Sequence, residues 1–124
     1  MPIILVIVGT YLFSEDKIMR RGTTPTLTIA VTGIDVSDLK TIKVTFEQRG
    51  KIVTKETADV SVDTENNAIS VPFTQEDTLF FGEGFINVQI RGLLADGVTA
   101  IASKIKQVSM EDILLDGVIT EDEE

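Results

Sequence analysis

Four times along this sequence apolar residues take every second position for three steps and then stop: Leu27, Ile29 and Val31; Ile42, Val44 and Phe46; Ile69, Val71 and Phe73; Ile86, Val88 and Ile90. A period of two puts each trio on one face of a strand. Thr28, Lys43, Thr45, Ser70, Asn87 and Gln89 go to the other face, as in a half-buried antiparallel strand. No segment carries the 3.6-residue period over a length that would build a helical layer. Short strands with turn residues recurring roughly every 8–12 positions predict an all-β antiparallel sandwich of about seven strands.

The punctuation supports that layout. Residues 33–39 read as a loop whose turn formers are Asp35, Ser37 and Asp38. Arg49-Gly50 makes a tight hairpin turn into residues 51–55, whose terminal lysines suit a solvated edge. Residues 58–62 read as a further short strand and residues 63–67 as a turn, while Pro72 marks an edge or a strand end. Thr74-Gln75-Glu76-Asp77 has the pattern of a helix cap with an acid three residues on, with room for one helical turn. Asp96-Gly97 predicts a two-residue hairpin into a long strand over residues 98–108. Ser109-Met110-Glu111-Asp112 repeats the cap pattern and predicts a second short helical segment ending near Gly117. The sandwich is thus decorated by one or two single-turn helices.

The two ends differ from the body. Residues 3–8 are an unbroken apolar run, too short for a bilayer-spanning helix and without the flanks of a signal peptide. Residues 1–18 read either as an added β-branched strand or as sequence preceding a natural start at Met19. In the second reading, Glu15-Asp16 is encodable as a purine-rich ribosome-binding stretch. The sandwich proper is assigned to residues 19–110, and residues 111–124 to the capped segment and an acidic tail. Of the 20 acidic residues, Glu111, Asp112, Asp116, Glu121, Asp122, Glu123 and Glu124 follow Lys106, after which no basic residue remains. The tail therefore carries most of the net charge of −9. Neither part has the basic footprint of a nucleic-acid-binding protein, and no membrane insertion is expected.

Chemistry is constrained by what the composition omits. The 124 residues include no cysteine and no histidine. Thiol nucleophiles, thiolate metal sites and the usual general base near neutral pH are therefore missing. An acidic turn at Asp59, Asp63, Glu65, Asn66 and Asn67 lacks the spacing and the bidentate glutamate of a known calcium loop. Glu76, Asp77 and Glu83 are the one carboxylate group suited to glycoside cleavage. Asp77 is explained by its cap and Glu83 by a Gly-Glu-Gly turn, and no tryptophan supplies a sugar platform. No catalytic residue, metal site or cofactor is assigned, and the chain is expected not to be an enzyme.

Contact candidates remain. Of the adjacent Phe80 and Phe81, one is expected in the core and the other, in an extended chain, to point away toward another subunit. Arg20 and Arg21 are the expected complement of a neighbour's acidic tail, which would suit head-to-tail stacking and salt-sensitive self-association.

Arg20-Arg21-Gly22-Thr23-Thr24-Pro25, Ile42 to Phe46 followed by Gln48-Arg49-Gly50-Lys51, Thr74-Gln75-Glu76-Asp77-Thr78-Leu79, Val88-Gln89-Ile90-Arg91 and the closing Leu114-Leu115-Asp116-Gly117-Val118-Ile119 form a pattern. It resembles a group of short, uncharacterised proteins encoded in prophages of Firmicutes. More loosely, it is similar to the immunoglobulin-like N-terminal domain of phage upper baseplate proteins. The resemblance covers about residues 19–119 and brings no catalytic residues. It implies an immunoglobulin-like sandwich and a place in a bacteriophage tail or baseplate. It also implies a virion location after production in the bacterial cytoplasm, with other phage structural proteins or further copies of itself as partners. A carbohydrate- or receptor-binding adhesion domain is the alternative from another class.

Overall fold

A computed structural model describes residues 4–10, as backbone, and residues 18–121. Among them, ten strands form two sheets. The first sheet has the order β1-β3-β7-β6, from Ile4–Thr10, Thr26–Thr32, Ala68–Pro72 and Ser61–Asp63. The second has the order β2-β10-β8-β4-β5, from Ile18–Arg20, Lys106–Glu111, Gly84–Leu94, Leu39–Gln48 and Lys51–Glu56, with β9 (Ala100–Ala102) also on β8. In immunoglobulin lettering these read A-B-E-D and G-F-C-C′. β2 runs parallel to β10, and the other pairs are antiparallel. The fold is an all-β sandwich whose strand order follows that immunoglobulin lettering, in a sequence without tryptophan or cysteine.

The four period-two trios supply the core. All twelve residues are buried, with Phe81, Val108, Met110 and Met19 closing one end. Phe46 and Phe73 meet edge to face, 4.9 Å between centroids. The alternate positions make a polar outer face on the second sheet. There Thr45 and Thr54 share a 3.1 Å hydrogen bond, Lys43 pairs with Glu56, and Gln107 donates to Asn87, which donates to Glu47.

The strand count exceeds the seven expected, for local reasons. Residues 4–10 pair along β3 and residues 18–20 along β10. The long strand expected over residues 98–108 is interrupted by Ser103. Its backbone N–H donates to Ile90 O (2.9 Å) while its hydroxyl accepts from Ile90 N (3.0 Å). A side chain thus replaces a ladder partner, and residues 103–105 leave the ladder between β9 and β10.

Two other expectations are corrected. The Asp96-Gly97 hairpin is longer than two residues. Leu94 N bonds Thr99 O, Gly97 alone takes a positive φ, and the Asp96 carboxylate accepts from Val98 N and Thr99 N. An Asx turn takes the place of the expected two-residue connection. Ser109 and Glu111 lie inside β10, so the second cap pattern opens no helix. Residues 57–59 form a 3₁₀ turn, and the strand that follows starts at Ser61. Arg49-Gly50, with φ of 49° and 88°, does form the tight turn between β4 and β5.

Candidate functional site

Among the described residues the one α-helix, α1 (Gln75–Phe80), lies between β7 and β8 and gathers the contact candidates at one end of the sandwich. Its start is the capping box expected from sequence: Thr74 Oγ1 accepts from Asp77 N (3.1 Å), and Asp77 Oδ2 accepts from Thr74 N (2.9 Å). Asp77 is also the partner of Lys55 on edge strand β5 (2.5 Å), with side chains only 19% and 14% exposed. Lys55 Nζ sits 5.7 Å from the Phe73 ring centroid, so the pair is braced on the core.

Burial pushes the Asp77 carboxyl up, but the Lys55 hydrogen bond and charge and the Thr74 N–H outweigh it and hold the group below the usual aspartate range. Asp35, Glu47, Asp63, Asp96 and Asp112 are likewise lowered, each chiefly by a hydrogen bond to its carboxylate. A carboxyl lowered in the folded state contributes stability that is complete above its ordinary pKa and lost as pH falls through the folded value. The urea midpoint is therefore expected to be flat above about pH 5 and to fall steeply below about pH 4, with Asp77→Asn flattening the fall. A midpoint unchanged between neutral and acid pH would contradict this.

Helix α1 ends where its last carbonyls need donors. Three are supplied from elsewhere in the chain. Arg21 Nη2 donates to Leu79 O (3.1 Å), Lys51 Nζ to Phe80 O (3.0 Å) and Arg21 Nε to Phe81 O (2.8 Å). Both donors, Arg21 and Lys51, are cations at the negative end of the helix, where cations are stabilising. Buried Gln48 then receives Gly82 N (2.7 Å) and donates to Gly82 O (2.8 Å), fixing the exit into β8. Phe80 and Phe81 are separated by this helix end, whereas the sequence reading relied on an extended chain. Phe81 is 1% exposed and Phe80 is 44% exposed, the rings meeting edge to face at 5.3 Å.

The second half of the Arg21 guanidinium faces the C-terminal segment. Nη1 donates to Asp112 Oδ1 (3.0 Å) and Nη2 to Asp116 Oδ1 (3.2 Å), while Arg20 pairs with Glu111 and donates to Asp112 O. Both arginines are therefore engaged by acids of their own chain, where the sequence suggests a neighbour's tail as their complement. The last residues of that tail, 122–124, lie outside the described residues.

Residues 112–121 run as a strap across the end of the sandwich, a feature the sequence reading missed. Gln75 secures it like a strand partner, donating to Ile119 O (2.9 Å) and accepting from Ile119 N (2.8 Å). Polar groups tether the strap inward, whereas Leu114, Leu115, Val118 and Ile119 are exposed. Between strap and helix lies an open groove of about 550 Å³ lined by Arg21, Glu76, Leu79, Phe80, Asp116, Gly117 and Val118.

Asp63 accepts from Glu65 N, Asn66 N and the Asn66 side chain, and Asn67 is diverted to the β3–β4 connection, bonding Val31 O, Ile34 O and Val36 N. Among the described residues no acidic cluster has the form of a metal site, and no helix is long and apolar enough to cross a membrane. What the assembled end presents is an exposed apolar strap and one exposed phenylalanine, with Glu76 and Asp116 beside them.

The sequence matches no protein-family model and no curated protein.

Proposed function

We propose that this chain is a non-enzymatic structural module of a phage or prophage virion, associated with the tail or baseplate and acting through protein–protein contacts. The observation that carries the contact reading is the strap, where Asp112 and Asp116 hold Arg21 of the domain while Leu114, Leu115, Val118 and Ile119 are exposed. Exposed apolar groups gathered in one place are a feature of interaction surfaces. The assignment to a virion rests on the resemblance of residues 19–119 to prophage proteins.

A carbohydrate-binding role is less well supported. It calls for an exposed aromatic pair lining a groove, and Phe81 is in the core, leaving Phe80 alone beside the groove. Catalysis lacks histidine and cysteine in the sequence, and Asp77 is engaged by Lys55 and the cap.

Particles induced from the native host and purified on a density gradient test the proposal. The chain is expected to co-sediment with tails in fixed proportion to the other tail proteins. Its retention in the soluble lysate, with none in particles, would overturn the virion assignment. Adjacent tail-fibre, holin or lysin genes would support it.

A further inference from the structure

The strap resembles half of an interface, and the same chain carries a surface that complements it. Two-fold pairing of strap on strap is unfavourable, because it brings Asp112, Asp116 and Glu121 of one copy against the same acids of the other. The partner surface must instead be apolar with a basic rim. Arg20 and Arg21 cannot provide it, since Glu111, Asp112 and Asp116 of their own chain already take them.

Lys104-Ile105-Lys106 can. All three residues are exposed, and Ile105 is 60% exposed. Neither ammonium has a partner among the described residues. The tripeptide is presented by the Ser103 break, which lifts the chain off β8 between the Arg91–Ala102 and Val88–Lys106 pairings. Ile105 borders a depression of about 200 Å³ on the polar outer face, beside Asn87 and Gln89. Glu47 also lines it, with its carboxylate engaged by Asn87 and Gly50 N. Ile105 on the outer face, flanked along the chain by two lysines, offers apolar surface and positive charge to a strap that is apolar and net acidic, with Asp112 and Asp116 still 57% and 73% exposed.

We propose that copies of this chain associate head to tail, the Leu114-Leu115 strap of one docking on Lys104-Ile105-Lys106 of the next. The contact is heterologous, so it propagates into a ring or filament rather than stopping at a dimer. It specifies the partner of the protein–protein module proposed above and rests on that reading. A chain found in virions yet monomeric in solution would sink this inference and leave the module standing.

Two variants of the full chain separate the halves of the contact: Leu114→Ser with Leu115→Ser, and Lys104→Glu with Lys106→Glu. All four positions are exposed, and urea melts matching wild type verify that both variants fold. In sedimentation velocity, wild type is expected to form species beyond the dimer as concentration rises. Raising salt from about 50 to about 500 mM should weaken that association on the order of tenfold. Each variant alone is expected to be monomeric. Their equimolar mixture should form a heterodimer and nothing larger, since it holds one intact strap facing one intact lysine patch. Wild type that is monomeric at every concentration and salt overturns the proposal. So does a mixture that stays monomeric, or a variant that associates by itself as wild type does.

Discussion

Replacing Arg21 with alanine is expected to lower the unfolding free energy by about 3 kcal/mol and the melting temperature by on the order of 10 °C. The side chain is only 15% exposed and makes four charge-assisted hydrogen bonds. They are unequal in weight. Asp112 and Asp116 are 57% and 73% exposed, so their ion pairs are screened and contribute little. Most of the loss comes from Leu79 O and Phe81 O, two partly buried acceptors at a helix end that alanine leaves without a donor. Arg21→Lys should recover a minority of the loss, since one ammonium cannot span two carbonyls and two carboxylates as a planar fork does. Arg20→Ala is the control: its pair with Glu111 is exposed, and a change within about 0.5 kcal/mol is expected. Urea denaturation reads all three variants, and hydrogen exchange should show the Ile119 amide less protected in Arg21→Ala. A loss for Arg21→Ala no larger than for Arg20→Ala would mean that the guanidinium does not hold the helix end.

The role of Arg21 also marks the limit of what the sequence alone could reveal. Each strand trio was legible because its signal is local: burial on one face repeats within six residues, and the hydroxyls and amides between advertise the other face. The capping box at Thr74 was legible for the same reason, both partners lying within one turn. Arg21 bonds groups about 60 and 90 positions away, and no local pattern encodes that. Gln48, Asn67, Gln75 and Ser103 were unreadable for a related reason. Each uses an amide or hydroxyl to replace a missing backbone partner, and in sequence such a residue resembles any surface polar residue. The misread cap at Ser109 shows the converse. The pattern was present, but Ser109 pairs with Phe85 in a ladder already formed, and tertiary pairing overrode local preference. The strap is not legible as such because its leucines follow a helix-cap pattern, whereas the segment is held by Asp112 and Asp116 on Arg21, about 90 positions away.

Phe46→Ala is expected to have a still larger effect, about 4 kcal/mol, enough to leave a small domain only marginally folded. Phe46 is fully buried on β4, flanked in the second sheet by β5 and β8, and it meets Phe73 from the opposite side of the core. Removing the ring deletes apolar burial and leaves a cavity that neighbours on both sheets cannot collapse to fill. The loss should also travel to the helix. Phe73 follows the last residue of β7, carries Lys55 over its face, and precedes the Thr74 cap, so a Phe73 ring freed to tilt would loosen the Lys55–Asp77 pair. A cycle with conservative variants separates packing from ring geometry. Phe46→Leu keeps most of the volume and should cost about 1.5 kcal/mol. Phe46→Leu with Phe73→Leu should cost less than the sum of the single losses by about 1 kcal/mol, the worth of an edge-to-face pair beyond its buried area. Losses that simply add would show that the two rings act as separate filler. In that case the steep acid sensitivity assigned to Asp77 should also be unaffected by Phe46→Leu, whereas rings that are coupled should pass the disturbance through Phe73 and Lys55 to the carboxylate.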